Sequence, residues 1–484
     1  MRMESRIATG ILILVWLVTI ALTLSAPRNH DEHMYLGAAS QLGEHRLYAE
    51  FAFPQTPYSV WIYAGILKLA PGNWTLLPAR LLQILVSACI ILASYRLARR
   101  LGAGVVTATL LPVLLYHDEI WRITAPLARN YDFAQLAILG ALLLLPLQAT
   151  DSSGRVRWAL AGALAGVAIG FKLSYAPLSL VIVASPLILG HGLRWLPWVL
   201  AGAVAGIVPM LLALLGVDPT VVWFNLVDYH LLNARFNELR EVAGRLDARQ
   251  WVRRTDHAVL VAMALATLVT VRRRDWGPNG KLVLAVLLAS MLMAFGPKPT
   301  QAAYGAPLVL ALLLIPLVGL EGRQGWRRRG LQVMVALGGL VMLGHHMGAN
   351  GRAFSRLLEP HRWTPVMVHQ KGLELARCLG QDQGQPMAST QALPVLEAGR
   401  TLSPEWVSYP FIWRLDGLMD PVMVQRVRAV SPSTLATTMA EVSPSAILVG
   451  KRPWDGPLRE WAMTQGRMRI PLGQSVEVWL PRPD

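Results

Sequence analysis

Long apolar runs recur through roughly the first 350 residues, separated by short polar segments. The first, residues 7–26, carries no charge and is long enough to cross a hydrocarbon core of about 30 Å. Further runs fall at 76–97, 102–117, 132–149, 157–171, 175–190, 195–216, 257–271, 281–296, 303–320 and 330–348. This pattern predicts a polytopic α-helical membrane protein with about eleven transmembrane helices. The runs 102–117 and 157–171 are short, so they need protein neighbours or a thinned bilayer.

Charge sets the orientation. Arg2 and Arg6; Arg96, Arg99 and Arg100; Arg155 and Arg157; Arg194; Arg272, Arg273 and Arg274; and Arg327, Arg328 and Arg329 mark every alternate junction. The positive-inside rule then predicts a cytoplasmic N-terminus. The nearest thing to a signal-peptide cleavage site is Ser25-Ala26-Pro27, where the proline is unfavourable, so the first span is expected to stay uncleaved. Three long segments face outward: 27–75, 217–256, and the region from about 349 to 484. Long polar connections of this kind are usually functional or disordered. Trp223, Phe224, Leu226 and Tyr229 give the second an amphipathic pattern suited to the membrane surface. In the third, apolar runs at Pro386–Ser389, Ala446–Val449 and Val476–Leu480 alternate with helical stretches at Pro432–Val442 and Pro457–Gln465. The expected organisation is a transmembrane domain over 1–348 and a small C-terminal periplasmic α/β domain over 349–484.

Composition agrees. Of 484 residues, 54% are hydrophobic and 15% charged, where a soluble protein carries about 25%. The net charge is +16, but its arginines sit between apolar runs, which reads as topology and argues against nucleic acid. Cys89 lies in an apolar run and Cys378 in the polar region, which offers neither a disulfide nor a metal-ligand spacing.

The candidate chemistry gathers on the outer side. Asp31 and Glu32 stand where the first span ends, and a carboxylate there can serve as general base or hold a metal. His30 and His33 flank them without a strong ligand pattern, so a divalent metal is left open. Arg129 and Asp132 stand at the mouth of another span, and an arginine fork suits phosphate oxygens. Asp132 also has the position of a helix cap. Lys172 lies between two apolar runs, where an ionisable group is a functional candidate or a snorkelling side chain. Lys298, Gln301 and Tyr304 belong to a stiff outer turn, and His230 and Arg235 to the second outer loop, where arginines at this spacing also fit a solvated helix face. Acidic centres and cations at a membrane surface suit a substrate that joins an anionic phosphate to a transferable group. A polyprenyl-phosphate sugar has that composition.

The order Asp31-Glu32, Met34-Tyr35, Phe53-Pro54-Gln55-Thr56-Pro57-Tyr58 and Trp61 resembles the first outer loop of the GT-C glycosyltransferases. The resemblance is to the branch of lipid A aminoarabinose transferases, protein O-mannosyltransferases and bacterial lipopolysaccharide-core transferases. Arg129-Asn130-Tyr131-Asp132 resembles the second outer loop of that branch, and Gly170-Phe171-Lys172 a glycine-rich span ending in lysine. The similarity covers roughly residues 1–350. Gln55-Thr56-Pro57 stands where many members have a lysine before paired prolines, so Lys172, Lys298 or an arginine would have to bind the phosphate. The resemblance implies an inverting transferase of a bacterial inner membrane, facing the periplasm. It would move a hexosyl or pentosyl group from a polyprenyl-phosphate (undecaprenyl-phosphate) donor to lipid A, core oligosaccharide, protein or another envelope glycan. Asp31 would be the general base or the group that orients the acceptor, with Glu32 supporting it and Asp132 completing the catalytic set, and Tyr35 and Tyr58 would line the substrate. The competing expectations are a transporter or flippase for a lipid-linked or anionic substrate, and a non-catalytic envelope scaffold. Transporters favour midplane sites and paired halves, and neither is visible here.

Overall fold

The computed structural model describes residues 2–147, 154–239, 248–270, 276–297, 301–319, 326–380, 385–473 and 476–482. It is mostly helical. Helix α1 (Arg2–Ser25) leads into α2 (His30–Gln41) and α3 (Tyr58–Leu69), both within the segment expected to be an outer loop. Then come α4 (Leu76–Arg100), α5 (Val105–His117), the short α6 (Glu119–Thr124), α7 (Tyr131–Leu144), α8 (Arg155–Phe171), α9 (Ala176–Ile188) and α10 (Leu196–Leu214). The second segment expected to face outward holds α11 (Pro219–Trp223) and α12 (Tyr229–Leu239), joined through a π turn, and then α13 (Ala248–Arg253). Helices α14 (Thr255–Thr270), α15 (Pro278–Phe295), α16 (Ala306–Gly319) and the long α17 (Trp326–Leu357) complete the bundle.

Among the described residues, five helices are long and apolar enough to cross a membrane: Met3–Ser25, Leu76–Arg100, Leu193–Leu214, Pro278–Phe295 and Ala302–Gly319. The bent pair Gln332–His346 and Asn350–Leu357 makes a sixth if it is one span. Helices α5, α7 and α14, with the stretch Leu173–Ile188, are apolar but shorter. Proline inside α5, α9, α10 and α16 costs each a backbone hydrogen bond. Such breaks are tolerated where neighbouring helices re-satisfy the backbone.

Helices α8 and α10 form the closest pair in the bundle, and glycine makes it possible. A Cβ on Gly202 would stand 1.9 Å from the Ala159 carbonyl oxygen, and one on Gly166 would stand 2.1 Å from that of Ala203. Gly162 and Gly206 repeat the contact one turn along. This is the small-xxx-small geometry of membrane helix pairs, in which bare backbone replaces side-chain packing.

Helix α17 runs through residue 348, the expected end of the membrane domain, and bends there by 56°. It is followed by α18 (Thr364–Leu379) and a four-stranded sheet of β1 (Ala388–Ser389), β2 (Ile447–Gly450), β3 (Met468–Leu472) and β4 (Val476–Leu480) in the order β1-β2-β4-β3. The β1–β2 pair is parallel and the other two are antiparallel. Strands β1, β2 and β4 lie on the three apolar runs read from the sequence. Strand β3 was not expected, because it is largely exposed and carries no apolar alternation.

This region grips the segment that follows α1. Glu397 accepts the Thr75 and Leu76 amides at 3.0 and 2.8 Å, which caps the start of α4. Its other oxygen meets His369 Nδ1 at 2.7 Å, and that imidazole stacks on Trp74 at 3.7 Å. Gln41 donates to the Leu402 carbonyl at 2.8 Å, and the Leu393 amide donates to His33 Nδ1 at 3.2 Å. His33 is therefore committed as a neutral acceptor, and burial first, then Arg28 and Arg452, holds its pKa well below the usual range.

Candidate active site

Helix α2 begins with a capping box. Asn29 accepts the Asp31 amide at 2.9 Å, and Glu32 accepts the Asn29 amide at 3.0 Å. The helix start thus fixes both carboxylates, and a 100° step per residue sends them in different directions.

Glu32 points inward and is fully buried. Arg80, from α4, meets it with Nε at 3.0 Å and Nη2 at 2.9 Å, and the Ala128 amide adds a bond at 3.0 Å. Arg80 is also fully buried, and its Nη1 donates to the Thr23 and Ala26 carbonyls at 2.8 and 2.7 Å. One guanidinium therefore ties the end of α1, the start of α2 and the approach to α7. This geometry uses Glu32 as a structural acceptor with no face left for substrate.

Asp31 points the other way, with about a quarter of its side chain exposed. Its Oδ2 meets Arg129 Nη1 at 3.1 Å, and Oδ1 lies 3.5 Å from His30 Nε2. Arg129 is held in turn by donating to the Ile123 carbonyl at 3.0 Å. Burial pushes the Asp31 carboxyl up, but His30, Arg129 and Lys172 together pull harder, so it stays below the ordinary carboxylate value. Asp31 is thus an ionised, partly open acceptor.

Lys172 caps the end of α8 and is 6% exposed. Its Nζ sits 4.0 Å from the centre of the Tyr131 ring and 5.4 Å from that of Tyr304. Two aromatic faces hold the ammonium, while no carboxylate among the described residues pairs with it. Lys172 is close enough to lower the Asp31 pKa. The Asp31 carboxylate and the Lys172 ammonium therefore lie near enough to feel each other's charge. His230 is half-buried, donates to the Pro54 carbonyl and feels Lys172; burial first, then that charge, lowers its pKa to about 4. It is a neutral lining group near pH 7.

Other expected residues fall differently. Tyr35 is buried against Phe53 and Tyr63, and burial, then the Asp31 charge, keeps its hydroxyl protonated. Tyr58 is not free for substrate: its hydroxyl donates to the Gly206 carbonyl at 2.6 Å and accepts the Met210 amide at 3.3 Å, pinning α3 to α10. Asp132 is buried with Oδ2 unpartnered among the described residues, near the Tyr63, Tyr116 and Tyr175 rings. Arg235 and Gln301 are exposed, and no described contact links them to Asp31. Lys298 lies outside the described residues.

The sequence reading missed Arg414. It arrives from the C-terminal region, donates to Tyr229 Oη at 3.0 Å and Asn233 Oδ1 at 2.7 Å, and faces the Phe411 ring. Its charge reaches His30. Tyr229 and Asn233, one turn apart on a helix, were the only local hint of a polar receptor there.

Solved structures with this architecture exist. Over 99% of this chain and 98% of the other, it superposes on ArnT from Cupriavidus metallidurans bound to undecaprenyl phosphate, with a TM-score of 0.64 at 15% identity. The apo state of that protein gives 0.60 at 17% identity over the same shares. The chain has the GT-C fold. The Archaeoglobus fulgidus oligosaccharyltransferase, solved with Zn and sulfate, aligns over 90% of this chain and 67% of its own at a TM-score of 0.44 and 11% identity. No protein-family model and no curated protein matches the sequence.

Proposed function

We propose that this protein is an integral membrane glycosyltransferase that moves a sugar from a polyprenyl-phosphate donor to an envelope acceptor, with inversion at the anomeric carbon. The observation that carries the reading is an ionised, accessible Asp31 near a buried Lys172 that pairs with no carboxylate among the described residues. The donor phosphate would sit on Lys172, framed by Tyr131 and Tyr304. Asp31 would take the proton from the acceptor hydroxyl or amine as its lone pair attacks the anomeric carbon. The bond from that carbon to the phosphate oxygen breaks, and the polyprenyl phosphate leaves with the electron pair, its new charge met by Lys172. Arg129 positions Asp31, and Glu32 supports the site through Arg80.

The fold supports this reading, since the ArnT structure holds undecaprenyl phosphate. So does the gathering of polar groups at one end of the bundle, which a midplane transport site would not need. The remaining expectations belong to the same proposal: some eleven spans, a cytoplasmic N-terminus, and residues 349–484 on the periplasmic side of a bacterial inner membrane. A direct test is purified Asp31→Asn protein. It should bind a polyprenyl-phosphate sugar as the wild type does and transfer none of it. Normal turnover by that variant would remove Asp31 from the mechanism.

A further inference from the structure

Helices α14 and α17 meet in a histidine-rich cluster that the Asp31 site does not use. Asp256, in the first turn of α14, is 2% exposed. Its Oδ2 lies 2.5 Å from His346 Nε2, while Oδ1 is buried and has no partner among the described residues. The adjacent His345 ring stands 4.7 Å from that of His346. One ligand atom from each of Asp256, His345 and His346 fits within a 4.8 Å cluster. His117, at the end of α5, faces the same group closely enough to feel the charges of His346 and Asp256. Its Nδ1 meets the Val113 carbonyl at 2.7 Å, which makes that nitrogen the donor and leaves the lone pair on Nε2.

The neighbouring pair shows what a purely structural arrangement looks like. Asp118 uses Oδ1 to cap α6 and places Oδ2 3.2 Å from His257 Nε2, and His257 Nδ1 meets the Trp251 carbonyl at 2.9 Å. There Asp118 Oδ2 and His257 Nε2, which make no other hydrogen bond among the described residues, at least face each other. Asp256 Oδ1 has no partner among the described residues, and a buried carboxylate oxygen without a donor is costly. We infer that Asp256, His345 and His346, with His117 as a fourth donor, form a binding site for a divalent ion of the zinc class that pins α14 to α17 at the bend of α17. Imidazole nitrogens with one carboxylate suit zinc, and a tetrahedral centre needs ligand atoms about 3.3 Å apart at bond lengths of about 2.0–2.2 Å. The present atoms, within 4.8 Å of one another, would have to draw together by side-chain rotation on binding. The ion would replace the His346 proton that now bridges to Asp256. Arg122 also faces Asp256 and opposes a bound cation. This inference does not depend on the transferase reading.

The test uses full-length purified protein, stripped with a chelator and titrated with Zn²⁺ while bound metal is counted by mass spectrometry. One equivalent should bind. Asp256→Asn, and separately His345→Gln with His346→Gln, should weaken it by at least about tenfold, while Arg122→Gln should tighten it. Thermal unfolding in chelator checks that each variant folds. If one does not, Co²⁺ in the wild type decides, because a tetrahedral site gives intense visible absorption and an aqua-like spectrum would overturn the site. Absence of a stoichiometric ion in the wild type, or equal uptake by both folded variants, would also overturn it.

Discussion

Replacing Arg80 with Met tests whether Glu32 is structural or catalytic. Arg80 and Glu32 are both fully buried and joined by two hydrogen bonds of 2.9–3.0 Å. Removing the arginine leaves the Glu32 charge with only two backbone amides, from Asn29 and Ala128, and frees the Thr23 and Ala26 carbonyls at the end of α1. Breaking one side of a buried pair costs about 3–5 kcal/mol, a large part of the stability of a typical domain. Glu32→Gln should cost a similar amount from the other side. The double variant should be more stable than the sum of the singles predicts, since neither charge is then stranded. The assay is denaturant titration of purified protein followed by tryptophan fluorescence, with transfer activity measured per folded molecule. Folded Glu32→Gln molecules should retain transfer. Wild-type stability in Arg80→Met, or a stable Glu32→Gln protein with no transfer, would refute the reasoning.

Lys172→Met, which keeps the length and removes the charge, should weaken donor binding by about 10–100-fold, as loss of a charge-assisted contact of 1.5–3 kcal/mol implies; unchanged donor affinity would make Lys172 a mere packing group. Because Asp31 is held below its ordinary value of 3.8, it remains the base as pH falls, and its pairing with Arg129 is lost only below that value. Transfer per folded molecule should stay level as pH falls toward that value, and in Arg129→Gln the acid limb should move to higher pH; an unmoved limb in a pH–rate profile would contradict the pairing. Gly202→Ala should destabilise by about 1–3 kcal/mol, because its Cβ would meet the Ala159 backbone. Gly10→Ala, with open space around it, is the control in the same unfolding assay, and equal stability of the two would contradict the α8–α10 packing.

The helical, apolar character of the bundle was legible because long apolar runs mark long apolar helices, five of which among the described residues are long enough to cross a membrane. Lys172 stood out in the sequence as an ionisable group between apolar runs, and Asp31 as a carboxylate where the first run ends. The split of Asp31 from Glu32 was not legible. Adjacent carboxylates read as one centre, and only the fold shows that Arg80, 48 residues on, claims one of them. Tyr58 failed likewise: its place in an aromatic, proline-rich segment suggested substrate, whereas glycines on α10 bring a backbone carbonyl to its hydroxyl. Arg414 could not be read at all, because its approach depends on how the C-terminal region sits on the outer segments. Helix α3 was hidden inside an expected loop, since an apolar stretch of twelve residues is too short to stand out as a span.

The central claim is that Asp31 catalyses sugar transfer, and one comparison tests it most directly. Membrane glycolipids and glycans would be profiled by mass spectrometry in cells carrying the wild-type protein, no protein, or Asp31→Asn at equal expression. The account predicts that one sugar mass on one acceptor disappears in both the deletion and the variant. A species lost in the deletion but fully restored by Asp31→Asn would contradict it and point to transport or scaffolding.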